Sequence, residues 1–185
     1  MNQQFRGFTI VELLIVIVVI AILAAISMVM YGNISNTAND AVVQSDIRNF
    51  AMQIREQQVY QGTYPLPTNA SGVPSNGQAP NGVEGIKFAE GSYDMSVANI
   101  YYCVGNIDGS QHFGIAATSK SGRRWMQHSL HGAKEYTGTT WGSAVQICNN
   151  GMGFGQGGES RMYTNAINAP VGGGSSGTWK VWANK

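Results

Sequence analysis

Hydrophobic and polar positions divide the chain into three stretches of different periodicity. From Phe8 to Tyr31 the residues are apolar on every face a helix could present, and Glu12 is the sole charge among them. As a helix this stretch would be roughly 36 Å long, enough to cross a bilayer core. A second stretch changes pattern: Val43, Ile47, Phe50 and Ile54 recur every three or four residues, with Ala51 beside them. Asp46, Arg48, Gln53, Arg55, Gln57 and Gln58 take the other faces, which predicts an amphipathic helix with one apolar stripe. That helix should run to about Tyr60 and stop at Gly62-Thr63-Tyr64-Pro65-Leu66-Pro67. Between the two stretches, Gly32-Asn33-Ile34-Ser35-Asn36 has weak helix propensity and is the place where a continuous helix would loosen first.

The third stretch alternates with a strand-like period. Residues 68–85, rich in Asn, Gly, Ser, Ala and Pro, read as a surface loop. Strands are predicted at Ile86–Ala89, Asn99–Val104, His112–Thr118, Arg123–Gln127 and Thr178–Ala183, with a hairpin turn at Ser119-Lys120-Ser121-Gly122. Met152–Asn168 shows no clear alternation and is expected to be loop. In the last strand Trp179 and Val181 would share one face, Lys180 and Trp182 the other. The element order that follows is α+β, a long helical stretch and then a series of strands.

Composition narrows the partners. Charged residues are 11% of 185, and the formal net charge of +1 gives no support for recognition of nucleic acid by bulk charge. The lone acid is the sharper signal. A carboxylate deep in a membrane costs on the order of 2.5–3.5 kcal/mol on insertion scales, so such groups have partners. Glu12 sits near the end of the run, where snorkelling to the headgroups is one answer and a cation is the other. The run is too long for an ordinary secretory signal, because Ala24-Ala25-Ile26-Ser27 is followed by more apolar residues. Cys103 and Cys148 read as one disulfide in an exported protein and as two buried thiols in a cytosolic one.

Gly7-Phe8-Thr9-Ile10-Val11-Glu12-Leu13, preceded by a short polar leader with Arg6, resembles the class III signal of type IV pilins and their relatives. The resemblance implies that a prepilin peptidase of the membrane cuts after Gly7 and N-methylates Phe8, while the apolar run is kept. It implies residues 1–7 as cleaved leader, 8–31 as transmembrane and filament-core half-helix, 32–61 as amphipathic half, and 62–185 as globular head. Within that head 62–85 would be loop and 86–185 an antiparallel sheet with loops, with the second half of the long N-terminal helix packed on the sheet, the α+β plan of the type IV pilin fold. Glu12 of an incoming subunit would neutralise the Phe8 ammonium of its neighbour, a short-range pair that sets the axial register. Many bacterial pilins carry Gly and Pro inside the apolar half, where this chain has Ala21 and Val29. An exported head implies a Cys103–Cys148 disulfide, closing a loop of about 46 residues and worth about 4 kcal/mol in the chain-entropy account.

Catalytic patterns are sparse. His128-Ser129-Leu130-His131 lacks the Glu of a metalloprotease motif and a third metal ligand, and reads as a polar strand end or turn. Gly151–Gly158 lacks the Lys-Ser/Thr ending of a phosphate loop. Asp108, near Asn106 and Gly109, reads as a turn rather than a calcium ligand. No catalytic, metal or cofactor site is therefore expected. Lys120, Arg123, Arg124 and Trp125, with His128, His131 and Lys134 beyond them, form a basic aromatic patch that is a candidate contact for DNA or another anionic ligand. Loss of Arg6 with the leader would leave ten basic residues against ten acidic ones, which opposes that reading.

The expectation is a structural subunit, the major pilin of a type IV pilus, stored in the inner membrane and polymerised with copies of itself by the pilus assembly machinery. A pseudopilin of a type II secretion system, or a minor or competence pilin, would share the same N-terminus. An enzyme or receptor domain anchored by an unprocessed helix is the alternative of a different class.

Overall fold

The structure, a computed structural model, describes residues 7–68, 79–83, 85–138, 141, 143–154 and 161–165, the last as backbone alone. Helix α1 spans Ile10–Gln61, 52 residues. Its backbone stays helical through Gly32–Asn36, the expected weak point. Thr37 Oγ1 donates to the Asn33 carbonyl there (2.9 Å), and no proline removes a backbone donor. The helix ends one turn before its prolines. Gly62, at φ +77°, donates its N–H to the Gln58 carbonyl at 2.8 Å, a left-handed cap that a side chain would strain.

By compactness the chain forms two units, residues 1–38 and 39–185. In the first, the described side chains of Gly7–Ala38 are all exposed. The second contains the core. Short strands β1 (Pro67–Thr68) and β2 (Ala79–Pro80) pair antiparallel inside the stretch expected to be loop. The main sheet comprises β3 (Ile100–Ile107), β4 (Ser110–Thr118), β5 (Arg124–His128), β6 (Gly132–Glu135) and β7 (Arg161–Asn165), in the order β6-β5-β4-β3-β7 and antiparallel throughout. The α+β arrangement expected from the pattern is the one observed.

Several expectations need correction. Ile86–Ala89 is not a ladder strand: Ile86 and Phe88 point into the core, but the segment runs into a 3₁₀ turn at Glu90–Ser92. Alternation there reports which side chains are buried, while the Ala89 N–H is taken by Asp46 Oδ2 of α1 at 2.9 Å. β7 lies inside Met152–Asn168, the region expected to be loop; its pairing comes from β3 across the sheet, and its own sequence has no alternation to announce it. β6, also unforeseen, is an edge strand with Ala133, Lys134 and Glu135 exposed. The expected strand Thr178–Ala183 lies outside the described residues. The turns fare better. Ser119–Gly122 joins β4 to β5, with the Ser119 N–H on the Arg123 carbonyl at 2.9 Å. Asp108 (φ 51°) and Gly109 (φ 75°) form the two-residue hairpin between β3 and β4, the left-handed pair that a type I′ turn requires.

Both faces of the sheet are covered. On one, Val43, Ile47, Phe50, Ala51 and Ile54 of α1 pack with Ile100, Tyr102, Val104, Phe113, Ile115 and Ala117. Phe50 is the centre of this contact, its ring 5.7 Å from Tyr102 and 5.9 Å from Phe88. On the other face Tyr101, Cys103, Ala116 and Met126 pack beneath Tyr136, Ile147, Cys148, Met152 and Phe154. Two carboxylates of α1, six residues apart, fasten the helix to the loops around the sheet. Asp46 accepts from Tyr93 Oη (3.0 Å), and buried Asp40 accepts from Ser121 Oγ (2.5 Å) and pairs with Arg123 Nη1 (3.4 Å). Truncation at the centre should be the costly change. Phe50→Ala is expected to lower unfolding free energy by about 3–5 kcal/mol, read from the denaturant midpoint of the detergent-solubilised chain.

Candidate assembly site at the N-terminus

Thr9 and Glu12 form a closed pair at the start of α1. The Thr9 N–H and Thr9 Oγ1 both donate to Glu12 Oε2, each at 2.8 Å, and the Glu12 N–H donates to Thr9 Oγ1 at 3.2 Å. This is a reciprocal capping box, with Thr-x-x-Glu satisfying donors that the first helical turn cannot satisfy internally. The spacing is readable in the sequence, and attention to Glu12 as an isolated charge passes over it. A carboxylate offers about four lone-pair sites, so the two bonds from Thr9 leave room for a further donor.

Around this box everything is apolar and uncovered. Phe8 is 83% exposed and Ile10 86% exposed. Within α1 the most apolar 18-residue window has a mean hydropathy of 3.3, none of it buried. Among the described residues α1 is the one helix long and apolar enough to cross a membrane. Apolar area on this scale, at roughly 25 cal/mol per Å², is a large driving force for entering lipid or packing with other apolar surfaces.

The comparison with known families falls on this segment. Residues 2–28 match the prokaryotic N-terminal methylation motif. They are the class III signal peptide of type IV pilins. No curated protein and no solved structure matches the chain. The motif supports a type IV pilin-like or pseudopilin protein, and together with the apolar helix it fits a membrane-anchored subunit.

In the second unit the remaining candidates are dispersed or already engaged. Cys103 and Cys148 have their sulfurs at bonding distance, 2.06 Å, joining β3 to the π-helical turn Ile147–Gly151. In the candidate DNA patch, Arg123 is held by Glu135 at 2.9 Å as well as by Asp40, and its guanidinium lies 4.6 Å from the Trp125 ring centre. Arg124 lies over Trp141 at 5.1 Å, and Lys120 is exposed in the turn. Two carboxylates thus compete for the one guanidinium nearest Trp125, which weakens the patch as a phosphate site. His128 ends β5 and His131 lies in the following turn. Of the glycine run, 155–158 lie outside the described residues. Among the described residues no group of three or more His, Cys, Asp or Glu could hold a metal ion.

The sulfur bridge is expected to contribute to the head. Reduction under non-denaturing conditions should lower its unfolding free energy by about 2–5 kcal/mol, measured as a fall in melting temperature against the oxidised protein.

Proposed function

We propose that the chain is the major subunit of a type IV pilus, cut after Gly7, methylated on Phe8 and polymerised through α1 into a surface filament. The observation that carries this reading is the methylation motif on a helix whose apolar side chains have no cover within residues 7–38. Peptidase cleavage would create an ammonium at Phe8, and methylation of an amine keeps its charge. Glu12, already held by Thr9, would present its free lone pairs to the Phe8 ammonium of a neighbouring copy. Apolar packing of the helices would supply most of the binding, and the ion pair would choose one axial stagger among many of similar hydrophobic energy.

Domain roles follow from this. Residues 1–7 would be discarded, 8–31 would be anchor and then filament core, 32–61 would join core to head, and 62–185 would form the surface. The partners are other copies of the chain, the prepilin peptidase and the inner-membrane assembly machinery. Before assembly the subunit would be a single-pass cytoplasmic-membrane protein, and afterwards part of a cell-surface fibre serving adhesion, motility or DNA uptake. A pseudopilin would share the motif. The sulfur-bridged head favours the pilus.

Mass spectrometry of the mature protein is expected to find a methylated Phe8 at the N-terminus, and an intact Met1 would overturn the reading. Glu12→Gln should reduce fibres sheared from cells by at least about tenfold while leaving subunit levels in the membrane unchanged. Ordinary fibre abundance in that variant removes Glu12 from assembly, and a protein seen only in secretion-system fibres reassigns it as pseudopilin.

A further inference from the structure

The three histidines of the chain, His112 and the neighbouring pair His128 and His131, converge on the sheet face opposite α1. His112 (β4) stacks near His128 (β5) with ring centres 6.5 Å apart, and His131 stacks on His128 at 5.0 Å. His128 is fully buried, and its Nδ1 accepts the Leu130 N–H at 3.0 Å. One row of the sheet runs Cys103, Gly114, His128, Gly132 across β3, β4, β5 and β6. Over this row lies the segment from Ile147 to Phe154. It is fastened at one end by the bond from Cys148 to Cys103, and at the other by Phe154, whose ring lies 5.3 Å from His128. Gly114 makes room for the fastening, since a Cβ there would run into Met152 Sδ and press on the Phe154 and His128 rings.

We infer that His128 is an acid-sensitive clasp: its protonation releases Asn149–Phe154 from the sheet while the bond at Cys148 keeps the segment tethered. The closed state favours an uncharged imidazole, because the ring is buried and, among the described residues, no acidic side chain acts on it. The groups acting on it electrostatically are His131 in the turn, His112 on β4 and Lys134 on β6, all cationic when charged, and the segment 147–154 carries no charged side chain. Burial first, then His131 and His112, push the His128 imidazole down to about 4; a hydrogen bond to the Met152 backbone opposes them, and Lys134 adds the smallest downward push. An imidazole in the opened segment titrates near its ordinary 6.5. The opened state therefore binds the proton more readily. Closure is fully favoured above about pH 6.5, weakens as pH falls, and has lost this contribution by about pH 4. What opening exposes is apolar: Met152, Phe154 and the Gly114 slot, a surface present in acid and hidden at neutral pH.

Hydrogen exchange of the full chain in detergent micelles, with its disulfide intact and rates corrected for the intrinsic pH dependence, tests this. Between pH 6.5 and pH 4 the protection of Asn149–Phe154 should fall by up to about tenfold per pH unit while β3 and β4 hold theirs. Lys134→Glu, by balancing the charge, should move the transition to lower pH, and His131→Gln should do the same by removing a repelling neighbour. His128→Met should abolish it; if that variant does not fold, the Lys134→Glu shift decides. Protection of 149–154 that stays parallel to β3 across the range, or a midpoint unmoved by Lys134→Glu, overturns the clasp.

Discussion

One stripe of α1, Val43, Ile47, Phe50, Ala51 and Ile54, lies under the sheet, and the head depends on that contact. A five-stranded antiparallel sheet has two faces to cover, and a single helix covers only one. The stripe also orients the helix. With Phe50 wedged against Tyr102 and Phe88, and with Asp40 and Asp46 bonded to Ser121, Tyr93 and the Ala89 N–H, rotation of α1 about its axis would bury charge and open voids together. Exposed positions such as Met52 and Val59 are thereby kept on the outside.

The opposite face is closed by different means. Among the described residues there is no second long helix, and irregular chain does the covering: Tyr136, the turn around Cys148, Met152 and Phe154. Irregular segments order poorly by themselves because each fixed residue loses backbone entropy without a repeating ladder to offset it. A covalent bond at Cys103 and close packing at Gly114 supply the constraint. This face is consequently where a change of charge on one buried ring has leverage, while the core of the α1 face is made of aliphatic and aromatic groups. The phenols buried there, Tyr93 and Tyr102, are pushed well above their ordinary value by burial and stay neutral in any physiological setting.

The N-terminal unit obeys another rule. A helix satisfies its own backbone, so it can present apolar groups on every side and pass from lipid to a bundle of like helices without breaking hydrogen bonds. What it lacks is any feature marking position along its length. Thr9 and Glu12 are the polar exception at its start, and the methylation motif lies over the same residues. Chemistry that modifies the N-terminus and chemistry that reads it would thus share one turn of helix.

Much of this was legible from residue pattern. The break at Gly62, the one-stripe face from Val43 to Ile54, the all-apolar run, the turn at Ser119–Gly122 and the class III signal are local features. Periodicity and turn chemistry express themselves within a few residues, so these needed no knowledge of neighbours in space. Thr9 could have been paired with Glu12 on spacing alone. The central strand was legible too: the predicted Asn99–Val104 falls on β3, even though Ile100 to Gly105 are buried on both faces and show no alternation.

Tertiary structure alone decided the remainder. Arg161–Asn165 becomes a strand because β3 offers it an edge, and Ile86–Ala89 fails to become one because its backbone is claimed by Asp46. Arg123 looks like a free cation in sequence until folding brings Asp40 and Glu135 to it. Three histidines separated along the chain come together because strand register sets His128 beside Gly114, with His112 two residues before that glycine on the same face and His131 in the turn that follows. Local sequence determines what each segment prefers to be. Which side chains meet is set by the register of strands that pair across long intervals, and no local pattern encodes that register.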